Sequence, residues 1–164
     1  MRVGIGHDTH RLVEGRPLIL GGVRFEHPRG LIGHSDADVV LHALADAILG
    51  AAGLGDIGEH FPDTDPDHLG LDGGRLLTEV MDRVSREGWG LVNCDLVIHA
   101  QEPKIGPHKL AMTTNIARLL RVDPSLVNVK AKTGEHVGPV GRAEAIMCEA
   151  VVLIDRTSSA GPAF

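Results

Sequence analysis

The chain has 164 residues, a net charge of −6, an apolar share of 43% and only 2% aromatic residues. This length and apolar share fit one globular domain with its own core. The mild acidity excludes the basic surface of a nucleic-acid-binding protein, and the scarcity of aromatic rings excludes the stacking platforms that bind single strands.

The first predicted elements are a strand and a hairpin. Residues 1–10 alternate small or apolar residues with polar ones, which predicts a strand with polar groups at its end. A turn at 15–17 leads into two short strands within 16–27, which a Gly-Gly pair joins as a hairpin. Residues 27–33 are predicted to form a loop.

The strongest helix signal lies at residues 36–50, DADVVLHALADAILG. Ser35 is the predicted N-cap, and Gly50 or Gly53 is the predicted stop. The next stretch, residues 54–74, is rich in Gly and Asp and predicts a long loop with one or two helical turns at most. Because long loops in compact domains tend to carry function, we expect ligand contacts here.

The second half of the chain alternates helices with strands. The predicted elements are a helix at 75–87 closed by Gly88, a strand at 90–100, a helix at 107–120, and strands at 126–132 and 143–154. This order predicts an α+β domain with helices on one face of a mixed β-sheet, as in a ferredoxin-like or β-α-β sandwich. We assign residues 1–155 to this single domain and residues 156–164 to a disordered tail.

The chain shows no signal for membrane insertion or export. No apolar run reaches the roughly 20 residues that a membrane span requires, and the N-terminus MRVGIGHDTHR lacks the apolar stretch of a signal peptide. We therefore expect a cytoplasmic protein without a membrane partner. Cys94 and Cys148 lie in separate apolar segments without CxxC spacing, which predicts buried free thiols rather than a disulfide.

Two polar patterns indicate metal chemistry. Asp8 and His10 are two residues apart on the first strand, so their side chains point to the same side. Asp38, His42 and Asp46 follow at i, i+4 and i+8 in an otherwise apolar helix, and this stripe contains no basic residue. We therefore interpret Asp8, His10 and His42 as metal ligands, with Asp38 and Asp46 as carboxylates that support His42.

This ligand set indicates a catalytic site rather than a structural one. Two imidazoles and one carboxylate leave the fourth tetrahedral position of a zinc ion open. Cobalt or manganese could occupy the same ligands in vitro. Either histidine alone would more often be an ordinary packed histidine, so the prediction depends on the three residues together.

Further segments suit anions and sugar hydroxyls. His34 and Ser35 lie at the predicted helix start, where free backbone N–H groups favour negative charge. Residues 55–58 and 61–65 offer carboxylates and exposed backbone, and the AKTGE segment at 131–135 adds phosphate donors and a carboxylate for Mg²⁺. Taken singly, each of these segments is more often a simple turn.

The chain resembles the family of 2-C-methyl-D-erythritol 2,4-cyclodiphosphate synthases over nearly its whole length, through GHDTH, GHSDADVVLHALADAILGAAGLGDIGEHFPDTD, QEPKIGPH and KTGE. The resemblance implies a cyclising lyase of non-mevalonate isoprenoid precursor biosynthesis. Its substrate is a small cytidine diphosphate compound, 4-diphosphocytidyl-2-C-methyl-D-erythritol 2-phosphate, whose 2-phosphate attacks its own β-phosphorus and releases CMP. An anionic nucleophile needs positioning and charge neutralisation more than a general base.

The resemblance also implies metals and catalytic groups. The three ligands on the strand and the helix would hold one Zn²⁺ per subunit, and Glu135 would reach a Mg²⁺ or Mn²⁺ ion on the substrate diphosphate. His34 and Thr133 match the family's catalytic residues.

Many further positions match the family's substrate-binding residues. They include Asp8, His10, His34, Thr133 and Glu135, already named as metal-binding or catalytic. The others are Ser35, Asp56, Ile57, Gly58, Phe61, Pro62, Asp63, Thr64, Asp65, Ala100, Gln101, Glu102, Pro103, Lys104, Ile105, Gly106, Lys132, Gly134 and Arg142. Residues 56–58 and 61–65 match the part that holds methylerythritol, and residues 100–106 match the cytidine pocket.

The family forms homotrimers with the sheets around a three-fold axis and with active sites between subunits, so the resemblance implies the same assembly here. Arg142 matches an arginine at an axial cavity that can hold an isoprenoid diphosphate or another anion. The chain differs from many members at two places. Lys132 stands where they have a threonine, and Pro139 stands where they have a phenylalanine of that cavity.

Two other functions fit the same residues. A zinc-dependent hydrolase of phosphate esters would incorporate water into its product. A trimeric metal- or nucleotide-binding regulator would bind CMP without turnover.

Overall fold

The computed structural model describes residues 1–33, 35–62 and 72–157. In this part of the chain the strands are β1 (Arg2–Glu14), β2 (Leu18–Leu20), β3 (Val23–Phe25), β4 (Arg29–Leu31), β5 (Trp89–His99), β6 (Val127–Lys132) and β7 (Ala145–Arg156). The helices are α1 (Val39–Ala52), α2 (Ile57–His60), α3 (Gly73–Arg86), α4 (Lys109–Leu120) and α5 (Gly138–Gly141). Single 3-10 turns at Gly106–His108 and Pro124–Leu126 precede α4 and β6.

Five of the strands form a mixed sheet in the order β4-β1-β7-β5-β6. Only the β5–β6 pair is parallel, and the other neighbours are antiparallel. The remaining two strands, β2 and β3, form the predicted antiparallel hairpin. The predicted α+β class with a mixed sheet is therefore confirmed.

The helices cover one face of this sheet. Helix α1 lies against β1 and β7, while α3 contacts β5 and α4 contacts β6. On the opposite face the sheet exposes apolar side chains, among them Val3 at 68% and Ile5 at 72%. No helix of the described residues is long and apolar enough to cross a membrane.

The predicted thiols and helix ends were largely right. Cys94 and Cys148 are buried and free, and burial raises the pKa of the Cys94 thiol to about 12. Gly53 ends α1 in a left-handed conformation with φ 76°, and Gly88 follows α3 with the same φ of 76°. Glycine reaches this region without the strain that a Cβ would cause.

Several boundaries differ from the prediction, and three of them change how a segment is read. Residues 27–33 are not simply a loop, because β4 pairs there with Leu12–Glu14 of β1. Helix α1 begins at Val39 rather than at residue 36, and its N-cap is Asp38 rather than Ser35. Strand β7 continues to Arg156, so the first residue of the predicted tail belongs to the sheet. Residues 158–164 lie outside the described residues.

Candidate active site

The close approach of β1 to α1 builds the site. A Cβ on Gly6 would lie 1.9 Å from the backbone oxygen of Ala43, and one on Gly4 would lie 1.9 Å from that of Ala47. Strand and helix therefore touch backbone to backbone, which only glycine permits. Asp8 continues the same inward face of β1 and so lies beside α1.

Asp8, His10 and His42 converge as predicted. Asp8 Oδ2 lies 3.1 Å from His10 Nε2 and 3.1 Å from His42 Nδ1, and one ligand atom from each residue lies within 4.8 Å of the others. The edges of a tetrahedral zinc site measure roughly 3.3 to 3.6 Å, given metal–ligand bonds of about 2.0–2.2 Å. The triad can therefore hold a divalent metal ion with little rearrangement.

The electrostatics of the triad favour a cation. Burial raises the pKa of Asp8, but hydrogen bonds and charge from His10 and His42 outweigh it and hold that pKa well below its usual value. Burial lowers the pKa of His42, yet the hydrogen bond to Asp8 and the nearby carboxylates Asp38 and Asp36 raise it overall. Net negative charge thus surrounds the point where the ligand atoms meet.

Ser35 completes the environment of His42. Its Oγ lies 3.3 Å from His42 Nε2 and accepts a hydrogen bond from Ala37 N at 3.1 Å. If Nδ1 of His42 faces the metal, Nε2 carries the proton and donates to Ser35. Two N–H donors then occupy both lone pairs of the Ser35 oxygen, which leaves its O–H free to donate to a third group.

The predicted support of His42 by Asp38 is wrong. The Asp38 carboxylate caps α1 by accepting from Val40 and Leu41, and it also accepts from Gly21 and Gly22 of the hairpin at 2.9 and 2.6 Å. The reason is the later start of α1, which moves Asp38 off the helical stripe and into the cap. Burial, together with the charge of Asp36, raises the pKa of Asp38 to about 6, although the Gly22 and Gly21 N–H groups oppose this shift.

The role of Asp46 also differs from the prediction. Its carboxylate binds the start of α2 and does not support His42. Its carboxylate accepts the N–H of Ile57 at 2.8 Å. Asp46 lies one helical turn after His42, about 6 Å further along α1. Among the described residues, the ring nitrogens of His42 bond only to Asp8 and Ser35.

The strip predicted to bind methylerythritol starts at α2. Asp56 caps this helix by accepting the N–H of Glu59 at 2.9 Å, and Ile57 and Gly58 form its first turn. Phe61 is buried at 7% exposure and Pro62 follows it. The predictions for His34, Asp63, Thr64 and Asp65 fall on positions outside the described residues.

The other predicted substrate residues lie around the ends of β5 and β6. The Thr133 hydroxyl donates to Glu135 Oε1 at 2.8 Å, and Glu135 has a left-handed backbone with φ 47°. A Cβ on Gly134 would lie 2.4 Å from Gly141 N, so this loop packs tightly against α5. Lys132 is exposed beside it.

The cytidine-pocket match runs directly after β5. Gln101 Oε1 accepts the N–H of His136 at 3.5 Å, which links the segment to the loop after β6. Glu102 forms an ion pair with Arg29 of β4. Ala100 and Ile105 are buried, whereas Lys104 and Gly106 are exposed and Pro103 is half-buried.

The metal-ligand triad and the segment at Thr133 lie far apart within one chain. Thr9 pairs with Met147, Met147 with His99, and His99 with Lys132. The triad and the segment at Thr133 are thus three strand spacings apart, about 14 Å. Arg142 follows α5 and donates two hydrogen bonds to the Glu144 carboxylate, at 2.8 and 2.9 Å.

Comparisons with known proteins point to one enzyme family. The model of the YgbB family matches residues 1–155. The 2-C-methyl-D-erythritol 2,4-cyclodiphosphate synthase of Bordetella avium is 61% identical over 155 residues, which cover 94% of this chain and 96% of that protein.

Solved structures share the fold. The bifunctional IspDF of Campylobacter jejuni superposes with a TM-score of 0.92 at 44% identity, covering 95% of this chain and 42% of that one. A 2C-methyl-D-erythritol-2,4-cyclodiphosphate synthase in its CDP-bound form superposes with a TM-score of 0.88 at 43% identity, covering 94% of this chain and all of that one.

Proposed function

The chain belongs to the YgbB family of 2-C-methyl-D-erythritol 2,4-cyclodiphosphate synthases, and from this premise we propose how its own residues carry out the reaction. It is a phosphorus–oxygen lyase of non-mevalonate isoprenoid biosynthesis. It converts 4-diphosphocytidyl-2-C-methyl-D-erythritol 2-phosphate into the 2,4-cyclodiphosphate and CMP. A bond forms between a 2-phosphate oxygen and the β-phosphorus while the bond from the β-phosphorus to the CMP oxygen breaks.

The observation that carries the site assignment is the convergence of one carboxylate and two imidazoles on a single point. We propose that Asp8, His10 and His42 hold Zn²⁺, because this donor set and its 3.1 Å spacings suit that ion. A bound Zn²⁺ supplies positive charge to a phosphoryl oxygen and lowers the cost of bringing two phosphates together. Asp8 keeps its negative charge because its pKa is held low.

The chain's own donors complete the phosphate site. When His42 Nδ1 binds the metal, the O–H of Ser35 is available to donate to a phosphoryl oxygen next to the triad. Thr133 and Lys132 offer a hydroxyl and a charge to the diphosphate, and Glu135 is the proposed ligand of a Mg²⁺ or Mn²⁺ ion that arrives with it. Residues 56–58 together with Phe61 and Pro62 form the strip proposed to hold methylerythritol, and residues 100–106 are proposed to hold the cytidine.

We propose a homotrimer whose active sites lie between subunits. The separation of about 14 Å between the triad and Thr133 exceeds the reach of one diphosphate within a single chain. The helix-free face of the sheet exposes Val3, Ile5 and, at 44%, Val151. A contiguous exposed apolar face favours burial against another protein surface, and packing these faces around a three-fold axis would bring the triad of one copy towards Thr133 of the next.

Arg142 is proposed to bind an isoprenoid diphosphate or another anion near the axis. It lines a cavity of about 290 Å³ together with Arg11 and Arg29. Glu144 neutralises part of this positive charge, but the three arginines still leave the cavity with a net positive charge, which suits a multiply charged anion.

The deciding experiment follows CMP release by the purified enzyme from its substrate. With Mg²⁺ supplied in excess throughout, we expect turnover that stops when a zinc-selective chelator is added and returns when Zn²⁺ is restored. In H₂¹⁸O the cyclodiphosphate should contain no solvent oxygen, whereas a hydrolase would incorporate it. Binding of CMP without any turnover would instead support a regulator.

A further inference from the structure

We propose that His60 and Arg83 are positioning residues for the methylerythritol-binding strip and select for that half of the substrate. This inference rests on the proposed function. His60 ends α2, immediately before Phe61 and Pro62, and Arg83 projects from α3 to meet it. Neither residue belongs to the segments that match the family's substrate-binding positions.

The hydrogen bonds of His60 require one form of its ring. His60 Nε2 lies 2.6 Å from the carbonyl oxygen of Leu54, and His60 Nδ1 lies 2.8 Å from Arg83 Nη1. A carbonyl can only accept and a guanidinium can only donate, so Nε2 carries the proton and Nδ1 accepts. His60, with one protonated ring nitrogen and one free acceptor, therefore links Leu54, which precedes α2, to Arg83 of α3.

Arg83 is itself held on two further sides. Its Nη2 donates to Glu79 at 2.6 Å, one turn earlier on α3. Its guanidinium carbon lies 5.2 Å from the ring centre of Phe61, within the range of a cation–π contact. The same arginine thus contacts both His60 and the next residue of the strip.

These contacts fix one side of the strip, and α1 fixes the other. Asp46 accepts the N–H of Ile57 from the α1 side. Without the bridge to α3, α2 would remain attached through Asp46 and its own N-cap, so it should shift rather than unfold. A four-residue helix has too few internal hydrogen bonds to hold its own position.

The position of these contacts predicts a selective effect. Within the described residues, the bridge touches neither the metal triad nor the cytidine-pocket match. Loss of the bridge should weaken binding of the methylerythritol half and leave binding of the nucleotide half intact.

The test compares Arg83→Met, His60→Leu and His60→Gln with the wild-type enzyme. We expect Arg83→Met and His60→Leu to raise KM and to weaken binding of the cyclodiphosphate product by about tenfold or more, as for a lost hydrogen bond to a charged group. The CMP dissociation constant and kcat should change less than about threefold. His60→Gln should keep near-wild-type values, because a glutamine amide can donate to Leu54 and accept from Arg83.

Arg86→Met is the matched control. Arg86 is exposed and lies three residues later on α3. Its side chain makes no hydrogen bond or ion pair within the described residues. The inference is overturned if Arg83→Met binds the cyclodiphosphate like the wild type, if it loses CMP affinity to the same degree, or if His60→Gln fails as badly as His60→Leu. Arg83→Met decides alone if His60→Leu does not fold. A wild-type enzyme that bound neither ligand would instead count against the proposed function.

Discussion

The triad could be predicted because each of its residues obeys a local rule. Asp8 and His10 lie on an alternating strand, and His42 lies well inside a helix, so each side-chain direction follows from the element alone. Asp38 failed as a prediction because it lies at the helix boundary. There, a shift of three residues turns a side chain from the stripe into the cap.

We expect His42→Ala to lose the metal while keeping its fold. The substitution removes one of three protein ligands, and alanine is the best helix former. CMP release should fall by roughly 10²- to 10³-fold or more, the cost of losing one electrostatic contact to the transition state. Metal analysis and circular dichroism check this prediction. A wild-type metal content would show that His42 is not a ligand.

Ser35→Ala should give a milder defect. The three ligands remain, but His42 Nε2 loses the hydroxyl that lies 3.3 Å away. Loss of such a supporting hydrogen bond typically weakens metal affinity about 10- to 100-fold. Titration with a competing chelator measures this change. Affinity equal to that of the wild type would mean that Ser35 does not orient the imidazole.

Asp38→Asn should destabilise the fold in a pH-dependent way. Asparagine has one acceptor oxygen, so the N–H of Gly22 or that of Gly21 loses its partner, at a cost of about 1–3 kcal/mol. The raised pKa of about 6 means that the folded wild type binds a proton more tightly than the unfolded chain does. The stability that protonated Asp38 contributes is therefore fully present below the pKa of Asp38 in the unfolded chain. It is lost as the pH rises through about 6. Urea unfolding should show a larger deficit for the variant at pH 5 than at pH 8, and the opposite trend would contradict this assignment.

At the scale of elements, the contact between β1 and α1 matters most. Glycines at positions 4 and 6 face Ala43 and Ala47, which are one helical turn apart. A sequence signal for this contact existed, since alternate glycines on a strand and alanines at i and i+4 on the following helix permit a close approach. It was missed because the glycines of this chain are numerous and most suggest turns.

Gly6→Ala should separate the strand from the helix. The new Cβ would lie 1.9 Å from the oxygen of Ala43, so the elements must move apart and Asp8 with them. We expect a loss of about 1–3 kcal/mol or more in the free energy of unfolding, together with weaker metal binding. Denaturant unfolding and metal analysis measure both.

Gly50→Ala is the control for this change. Gly50 lies on α1 itself, and its Cβ would have no atom within 4 Å. It should stabilise the protein by about 0.5–1 kcal/mol, since alanine favours the helix. Equal effects of the two substitutions would mean that the close approach at Gly6 is not what holds the triad together.

At the scale of the whole molecule, local patterns predicted the layers but not every strand. The three residues of β4 include a glycine and follow His27 and Pro28, so they show no strand periodicity. They become a strand only because the far end of β1, at Leu12–Glu14, offers them a partner. The separation of about 14 Å between the triad and Thr133 was equally invisible to any local pattern, because it follows from the order of the strands.

Mixing two inactive variants tests whether the site is shared between copies. His42→Ala lacks the triad, and Thr133→Val lacks the hydroxyl at the end of β6, three strands away from the triad. If each site takes the triad from one subunit and Thr133 from its neighbour, a random one-to-one mixture joins two intact halves at about a quarter of the sites. Co-refolding the two variants should therefore restore about 25% of wild-type CMP release. If all the groups acted within one chain, every site in the mixture would stay defective, and the mixture would be no more active than the two variants measured separately.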